Sequence, residues 1–213
     1  AGSYTVTVTD NNGCTGVSMI TLTEPPALTF AFSPSDYNGS NISCNGDNDG
    51  ILSVTTTGGA NGVDPNSYIW ENSFSAIINN FPTNTVSSLV ADTYTLTVSD
   101  NNGCPFSDSY TMTEPNLLTT TTSVVPTICD YSSDGSAIAN PIGGTIPYTY
   151  LWWNVGGQVT QTATGLQGNG ALYNVTVTDV NGCEAFGTAV VTSPAPIPLP
   201  SITITDPTCN RYN

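Results

Sequence analysis

One alternating stretch occurs three times along the chain, with an apolar residue at every second position and a small polar residue between. The clearest copy runs from Tyr94 to Val98 as Tyr-Thr-Leu-Thr-Val, and related copies begin at Tyr4 and Tyr173. A period of two places successive side chains on opposite faces, which predicts half-buried β-strands. Each copy is followed by Asn-Gly-Cys, a sequence typical of tight hairpin turns. The pattern therefore predicts the same strand–turn unit three times.

These hairpins belong to a longer repeat, because cysteines and Pro-containing boundaries recur about every 80 to 90 residues. Units of this length, rich in short strands and turns and without any helical period, predict all-β sandwiches. We expect an extended tandem array, in which a Pro-rich stretch stiffens one linker. The predicted divisions are the last hairpin of a preceding module (1–24), two whole modules (25–115 and 116–194) and the first strand of a following module (195–213).

The position of one tyrosine predicts an immunoglobulin-like topology for each whole module, whose central strand should carry a core tryptophan. Trp70 and Trp152 follow Tyr-containing apolar runs, as expected for the core tryptophan of a central strand. Tyr94 and Tyr173 each open a strand after a short turn, which is typical of a tyrosine corner. In that arrangement the hydroxyl bonds to backbone a few residues upstream. The alternative is an ordinary core aromatic with an exposed hydroxyl.

The charge balance excludes several classes of function. The chain has 16 Asp and Glu, one Lys or Arg and no His, for a formal net charge of −15. Nucleic-acid binding needs cations to neutralise phosphates, so it is not expected. Membrane insertion is not expected either, since no apolar run is long enough to cross a bilayer. Without His or Lys, general acid–base chemistry would rest on carboxylates alone, so we expect no catalysis.

Six cysteines occupy corresponding positions of successive repeats. Close Cys-x-x-Cys pairs typical of zinc sites are missing, so we expect disulfides and an oxidising, extracellular compartment. The regular spacing of the cysteines favours disulfides within each module, between Cys44 and Cys104 and between Cys129 and Cys183. Strand topology, however, places the two cysteines of each pair about 20 Å apart, at opposite ends of a strand. We therefore favour one bond across a module junction, Cys44 with Cys183. The other cysteines are expected to pair with neighbouring modules: Cys14, Cys104, Cys129 and Cys209.

Two acidic loops resemble the first half of a calcium-binding loop. One contains Asp47 and Asp49 followed by Gly50, and the other contains Asp130 and Asp134. Both lack the bidentate Glu expected at the twelfth position, so neither is an EF-hand. Two interpretations remain open: a looser Ca²⁺ site made of oxygen ligands, and plain turns in which Asp caps its own backbone.

Trp153 is the candidate binding residue. Because neighbouring residues on a strand face opposite sides, Trp153 should point outward if Trp152 points into the core. An exposed indole could contact a neighbouring filament or a surface glycan. The alternative is an isolated exposed apolar residue without a role, which is common.

Three phrases resemble the SprB-type repeat of giant surface adhesins in gliding Bacteroidota, which is similar to PKD-type immunoglobulin-like modules. They are the hairpin ending at Cys14, the Cys44 loop that ends at Gly50, and Pro147-Tyr-Thr-Tyr-Leu-Trp152. The resemblance covers essentially the whole chain but departs at 33–40, at Trp153 and at the last three residues. It implies a cell-surface protein exported by type IX secretion.

The predicted function is thus a non-catalytic segment of a long extracellular filament or surface adhesin. Its expected partners are neighbouring repeats of the same protein, laterally associated copies and surface glycans. The alternative is a carbohydrate-binding or spacer module of a secreted multidomain enzyme.

Overall fold

The computed structural model describes residues 1–65, 67–78, 82–198, 200 and 201, and every regular element among them is a β-strand. The all-β prediction is therefore confirmed. The chain divides into two compact units, unit 1 (Ala1–Leu117) and unit 2 (Leu118–Asn213). Residues 202–213, which include Cys209 and most of the segment predicted to hold the first strand of a following module, lie outside the described residues.

Unit 1 contains a hairpin and a sandwich of two three-stranded antiparallel sheets. One sheet has the order β3-β4-β6 and the other β5-β7-β8, while β1 pairs only with β2. The strands are β1 (Gly2–Thr9), β2 (Thr15–Leu22), β3 (Thr29–Pro34), β4 (Gly50–Thr57), β5 (Ile69–Glu71), β6 (Thr85–Leu89), β7 (Thr93–Ser99) and β8 (Pro105–Thr111).

Unit 2 repeats the sandwich with the sheets β12-β10-β9 and β11-β13-β14. Its strands are β9 (Thr119–Val125), β10 (Gly135–Ile142), β11 (Thr149–Trp152), β12 (Thr162–Leu166), β13 (Asn169–Thr178) and β14 (Glu184–Thr192).

Both sandwiches have an immunoglobulin-like strand order. The first, second and fourth strands of each sandwich form one sheet, and the third, fifth and sixth form the other. These sets correspond to strands A, B and E and strands C, F and G of the immunoglobulin fold. The fold class follows from this order. The extended arrangement of modules and the four predicted divisions stay predictions.

A tryptophan fills the centre of each sandwich. Trp70 on β5 and Trp152 on β11 are both fully buried. Each indole N–H donates to a backbone carbonyl, Trp70 to Thr83 over 2.9 Å and Trp152 to Thr160 over 3.1 Å. The ring thus buries its apolar surface while its one polar group stays satisfied. The central-strand position predicted for both residues is confirmed.

The predicted tyrosine corners are present in both units. The hydroxyl of Tyr94 donates to the carbonyl of Val90 over 3.1 Å. The hydroxyl of Tyr173 donates to the carbonyl of Gln167 over 3.1 Å and accepts the N–H of the same residue over 2.9 Å. Burial raises the pKa of Tyr94. These bonds fix the turn that connects the two sheets at the start of the fifth strand.

The β1–β2 hairpin has the same sequence pattern as β7–β8 but a different environment. Tyr94, Leu96 and Val98 are buried beneath the opposite sheet, whereas Tyr4 and Val6 on β1 are exposed. Among the described residues of unit 1, no third strand pairs with this hairpin. Its assignment as the closing hairpin of a preceding module stays a prediction.

Replacing Tyr94 with Phe should lower the free energy of unfolding of unit 1 by about 1 kcal/mol, because the Val90 carbonyl loses its hydrogen bond. Chemical denaturation at neutral pH measures the change. Tyr131→Phe is the control, since Tyr131 is exposed and its hydroxyl is not part of a corner. Equal stability of Tyr94→Phe and the unmodified chain would contradict a stabilising role for the corner.

Candidate functional site

A buried aspartate organises the turn between β7 and β8. One carboxylate oxygen of Asp100 accepts the backbone N–H groups of Asn102 and Cys104, each over 2.9 Å. The other oxygen accepts the N–H of Ala60 over 2.8 Å. Ala60 lies in the connection after β4, so this single side chain closes the hairpin turn and ties it to the opposite sheet.

Unit 2 contains the same arrangement around Asp179. One oxygen accepts the N–H groups of Asn181 and Cys183 over 2.9 Å each, and the other accepts the N–H of Thr145 over 2.7 Å. In the β1–β2 hairpin, Asp10 likewise accepts two N–H groups of its own turn. These three acids therefore form and close the turns in which they lie. They are structural groups whose acceptor capacity is directed at backbone.

The first acidic loop uses its carboxylates locally. Asp49 accepts the N–H of Ser43 over 3.1 Å, and Asp47 accepts the Ser43 hydroxyl over 3.4 Å. Burial opposes the ionisation of Asp49, but hydrogen bonds from Ser43 and Tyr37 outweigh it and lower its pKa. An ionised Asp49 is thus stabilised by the loop itself.

The second acidic loop is built in the same way. Asp134 accepts the hydroxyl of Ser132 and, over 3.3 Å, the N–H of Ile128. Hydrogen bonds from these two residues lower the pKa of Asp134 against a smaller desolvation effect. Asp130 instead accepts the Ser193 hydroxyl over 3.1 Å.

The glycine after each loop is required by packing. A Cβ on Gly50 would lie 2.5 Å from the Ile42 side chain and 2.9 Å from the Leu89 carbonyl oxygen, and one on Gly135 would meet Val191 at 2.6 Å. Within the described part of the chain, no three His, Cys, Asp or Glu side chains are grouped as a metal site. The local hydrogen bonds of Asp49 and Asp134 and the packing around the two glycines support the interpretation of both loops as turns. The Ca²⁺ site at Asp47, Asp49, Asp130 and Asp134 stays a prediction.

The cysteines fall into two classes. Cys44 and Cys183 are disulfide-bonded, whereas Cys14, Cys104 and Cys129 carry free, exposed thiols. Pairing inside each module would require Cys104 and Cys129, so that regular pattern does not occur in this structure.

Strand geometry explains why Cys44 does not reach Cys104. The loop of Cys44 is anchored where Asn41 and Ile42 donate to the Thr113 carbonyl, just after β8 ends. Cys104 directly precedes β8, whose seven residues span about 23 Å. Bridged Cα atoms lie within about 7 Å of each other. The favoured pairing of Cys44 with Cys183 stays a prediction, as do outside partners for the remaining cysteines.

Trp153 is exposed, as the alternation of the strand predicts. It is 64% exposed while Trp152 is 0% exposed. Its backbone N–H donates to the Asn174 carbonyl over 3.0 Å, and its indole N–H donates to the Thr176 hydroxyl over 2.8 Å. Both bonds end on β13, so the side chain is held against the outward side of the sheet. Its role in binding stays a prediction.

Sequence reasoning missed the surroundings of Trp153. Phe186 and Leu172 lie on the same side of the sheet and are exposed. A cavity of about 300 Å³ opens beside Asn154, which directly follows Trp153. Leu172 and Phe186 occupy polar positions of the strand alternation, where the β7–β8 hairpin has Thr93 and Ser107. That break in the pattern was the available signal.

No protein-family model and no curated protein matches the chain. Among solved structures it is similar to three N-terminal domains of the highly immunogenic outer capsid protein Hoc of bacteriophage RB49. The identity is 17% and the TM-score 0.47, and the match covers 78% of this chain and 59% of that one. The chain thus spans little more than half of that structure's length.

Two further similarities have lower scores. The C-terminal 282-residue fragment of intimin, in complex with the intimin-binding domain of its translocated receptor, matches at 10% identity and a TM-score of 0.43, over 78% of this chain and 64% of that one. The four N-terminal immunoglobulin domains of Dscam1 isoform 9.44 match at 15% identity and 0.35, over 90% and 54%. The fold assignment above rests on strand order and not on these scores.

In the part of the chain that the structure describes, no helix is long and apolar enough to cross a membrane.

Replacing Asp100 with Asn should lower the melting temperature of unit 1 by several degrees, because one of the oxygens that bind Ala60 and the turn is lost. Hydrogen bonds from the backbone N–H groups of Ala60 and Cys104 hold the pKa of Asp100 below its ordinary 3.8. The ionised form therefore stabilises the folded state above pH 3.8, and this contribution disappears as the pH falls through the lower folded pKa.

Melting curves between pH 7 and pH 2 measure both effects. The variant should lose less stability in acid than the unmodified chain, and Asp108→Asn, a change at an exposed position of β8, should behave like the unmodified chain. An acid response that Asp100→Asn leaves unchanged would contradict the assignment.

Replacing Cys44 with Ser should lower the free energy of unfolding by about 2–4 kcal/mol, because the disulfide that restricts the unfolded chain is lost. Cys104→Ser is the matched control, since it removes an exposed free thiol. Thermal melting with and without reductant measures the effect, and reductant should lower the melting temperature more for the control than for Cys44→Ser. A melting curve indifferent to reductant would contradict a stabilising disulfide. Non-reducing peptide mapping identifies the partner of Cys44.

Proposed function

We propose that this chain is a non-catalytic structural segment of a long extracellular filament or surface adhesin. One observation carries the proposal: two consecutive sandwiches have the same strand order. In each, an equivalent aspartate, Asp100 or Asp179, closes the turn that follows the fifth strand. Repetition of one small β-module is the usual construction of proteins that act by length and stiffness. The disulfide-bonded Cys44 and Cys183 favour an oxidising location such as the cell surface.

The absence of catalysis in this proposal rests on what the acids do. Asp100 and Asp179 are committed to backbone N–H groups, and Asp49 and Asp134 to their own loops. A glycosidase-like pair would need two carboxylates that face a substrate. The chain contains no His, which removes the most common general base.

We further propose that the protein belongs with the SprB-type adhesins of gliding Bacteroidota, with export by type IX secretion. The support is the resemblance of the Cys14 hairpin, the Cys44 loop and the Trp152 strand. Neighbouring repeats of the same protein, and laterally associated copies, would be its structural partners.

A second candidate function is a carbohydrate-binding or spacer module of a secreted multidomain enzyme. The exposed Trp153 favours it, together with an uncharged cavity that is lined by the next residue, Asn154. The two candidates differ in what adjoins this chain in the full protein, many similar modules for the filament or a catalytic domain for the enzyme.

Antibodies raised against the purified chain should label the surface of intact, unpermeabilised cells of the source organism, in rows along extended fibres seen by immunogold electron microscopy. Absorbing the serum with the purified chain should remove the label, which controls for specificity. Label that appears only after permeabilisation would contradict a surface location. A diffuse label confined to the culture medium, on an enzyme-sized protein, would favour the second candidate.

A further inference from the structure

The outward side of the β11-β13-β14 sheet, called the outer face of unit 2 below, differs from its counterpart in unit 1. Its members come from alternate positions of the three strands, with their buried neighbours facing the core. The outer face of unit 2 comprises Leu151, Trp153, Leu172, Asn174, Thr176, Phe186, Thr188 and Val190.

In unit 1 the equivalent side of β5-β7-β8 carries three rungs of paired hydroxyls. Thr93 bonds to Thr111 over 2.9 Å, and Thr95 bonds to Ser109 over 3.0 Å. Thr97 donates to Ser107 over 3.1 Å. The two hydroxyls of each pair hydrogen-bond to each other across the strands. This surface is therefore polar, and its hydroxyl groups have partners within it.

In unit 2 two of the three rungs lack the paired hydroxyls, because apolar residues occupy one or both positions. The strand register places Leu172 opposite Val190 and Thr176 opposite Phe186, and only the pair of Asn174 and Thr188 keeps its hydrogen bond, of 3.0 Å. The residue after the core tryptophan also changes, from Glu71 in unit 1 to Trp153 in unit 2. Phe186 is 74% exposed and Leu172 57%. Solvent exposure of several large apolar side chains at positions that need only polar ones indicates a contact surface.

Thr176 holds the side chain of Trp153 in place on the outer face of unit 2. Its hydroxyl accepts the indole N–H of Trp153, while Leu151 and Phe186 flank it on the adjacent strands. Thr176 is buried although it faces outward, which shows that these larger side chains cover it. The two aromatic rings therefore stand on either side of one fixed residue, and little conformational freedom remains to be lost on binding.

The adjoining cavity, on the side of β13 to which the buried Tyr173 points, supplies further hydrogen-bonding groups. Asn154 links the two, because it follows Trp153, lines the cavity, donates to the Leu172 carbonyl and accepts the Asn174 N–H over 3.1 Å. The other main lining groups are uncharged side chains: Ser133, Val155, Gln158, Gln167 and Tyr173.

Amides suit a ligand that is rich in hydroxyl groups. The side chain of Gln158 uses one N–H and one lone pair of its oxygen on the backbone of Thr164. An amide has two N–H groups and two lone pairs, so one donor and one acceptor remain to pair with a hydroxyl. Sugar hydroxyls both donate and accept, and the C–H faces of sugar rings pack on aromatic rings.

Size and charge distinguish between ligand classes. The outer face of unit 2 comprises eight residues. A stable protein interface engages about 20–30 residues on each partner, which is far more than this. The net charge of −15 disfavours anionic ligands, and Glu184, two residues before Phe186 on the same side, acts in the same direction.

We propose that the outer face of unit 2 and the adjoining cavity bind a neutral oligosaccharide of a few sugar rings. Trp153 and Phe186 would provide the stacking surface, and Asn154 and Gln158 would provide hydrogen bonds to hydroxyl groups. The proposal adds a ligand class to the adhesive role proposed above and rests on that role for its biological meaning. The binding itself requires only the geometry of unit 2.

The test uses the complete chain and a panel of tetrasaccharides, with cellotetraose, mannotetraose and chitotetraose as neutral ligands and tetragalacturonate as the anionic comparison. Trp70 and Trp152 are fully buried, so acrylamide quenching of tryptophan fluorescence reports mainly on Trp153. At least one neutral ligand should protect Trp153 from quenching and bind with a Kd of about 1 mM or lower in calorimetry.

Two variants copy unit 1 into unit 2 at equivalent positions. Trp153→Glu and Phe186→Ser should each weaken binding about tenfold or more while the melting temperature stays close to that of the unmodified chain. Ser107→Ala, at the position of unit 1 that corresponds to Phe186, is the matched control and should leave the affinity unchanged.

Several results would overturn the proposal. They are the absence of any neutral ligand that binds more tightly than about 1 mM, binding that Trp153→Glu leaves unchanged, and equal affinity for tetragalacturonate. Dimerisation in ultracentrifugation that Phe186→Ser abolishes would instead identify the surface as an interface between copies. Surface labelling of cells does not depend on sugar binding. A negative result in the binding test therefore does not contradict the proposed filament role, and a negative labelling result does not contradict the proposed sugar site.

Discussion

Each sandwich depends on the contact between two sheets that are apolar on one side only. Strict alternation gives every strand one face that avoids water, and a three-stranded sheet cannot cover that face by itself. Trp70 and Trp152 occupy the centre of this contact and reach carbonyl groups with their indole nitrogens. The tyrosine corners and the aspartate-closed turns then hold the sheets at the separation that the tryptophans require. The exposed apolar side of the β1–β2 hairpin shows the same strand pattern without a facing sheet.

Most of this architecture could be predicted from the sequence because it is encoded locally. The period of two, the Asn-Gly turns and the position of the tyrosine before each fifth strand are all short-range signals. The strand order followed from these signals combined with module length. Turn formation by Asp100 was also predictable, since an Asp two residues before a backbone N–H commonly bonds to it. Its bond to Ala60, 40 residues away, was not, because nothing near either residue encodes the contact.

The candidate binding surface could be predicted only in part. Alternation places Trp153 outward, and that much was available from the sequence. Phe186 and Leu172 belong to different strands, and their proximity to Trp153 depends on the register of β11 and β14 against β13. For the cysteines, the pattern in the sequence was clear but did not predict the pairing. Their regular spacing suggested regular pairing, whereas the free thiols of Cys104 and Cys129 show that spacing along a repeat does not determine which sulfur atoms meet.

The hydroxyl rungs across β7 and β8 have a consequence for the environments in which this protein can work. Solvent-exposed salt bridges weaken as ions accumulate around them, and they fail when acid or base discharges one partner. Pairs of Thr and Ser hydroxyls carry no net charge and do not titrate in water. Because unit 1 connects the outer sides of its strands in this way, neither salt nor a mild change of pH acts directly on these pairs. A protein with almost no basic residues thus gains, on the outer side of unit 1, cross-strand bonds that tolerate both fresh water and brine.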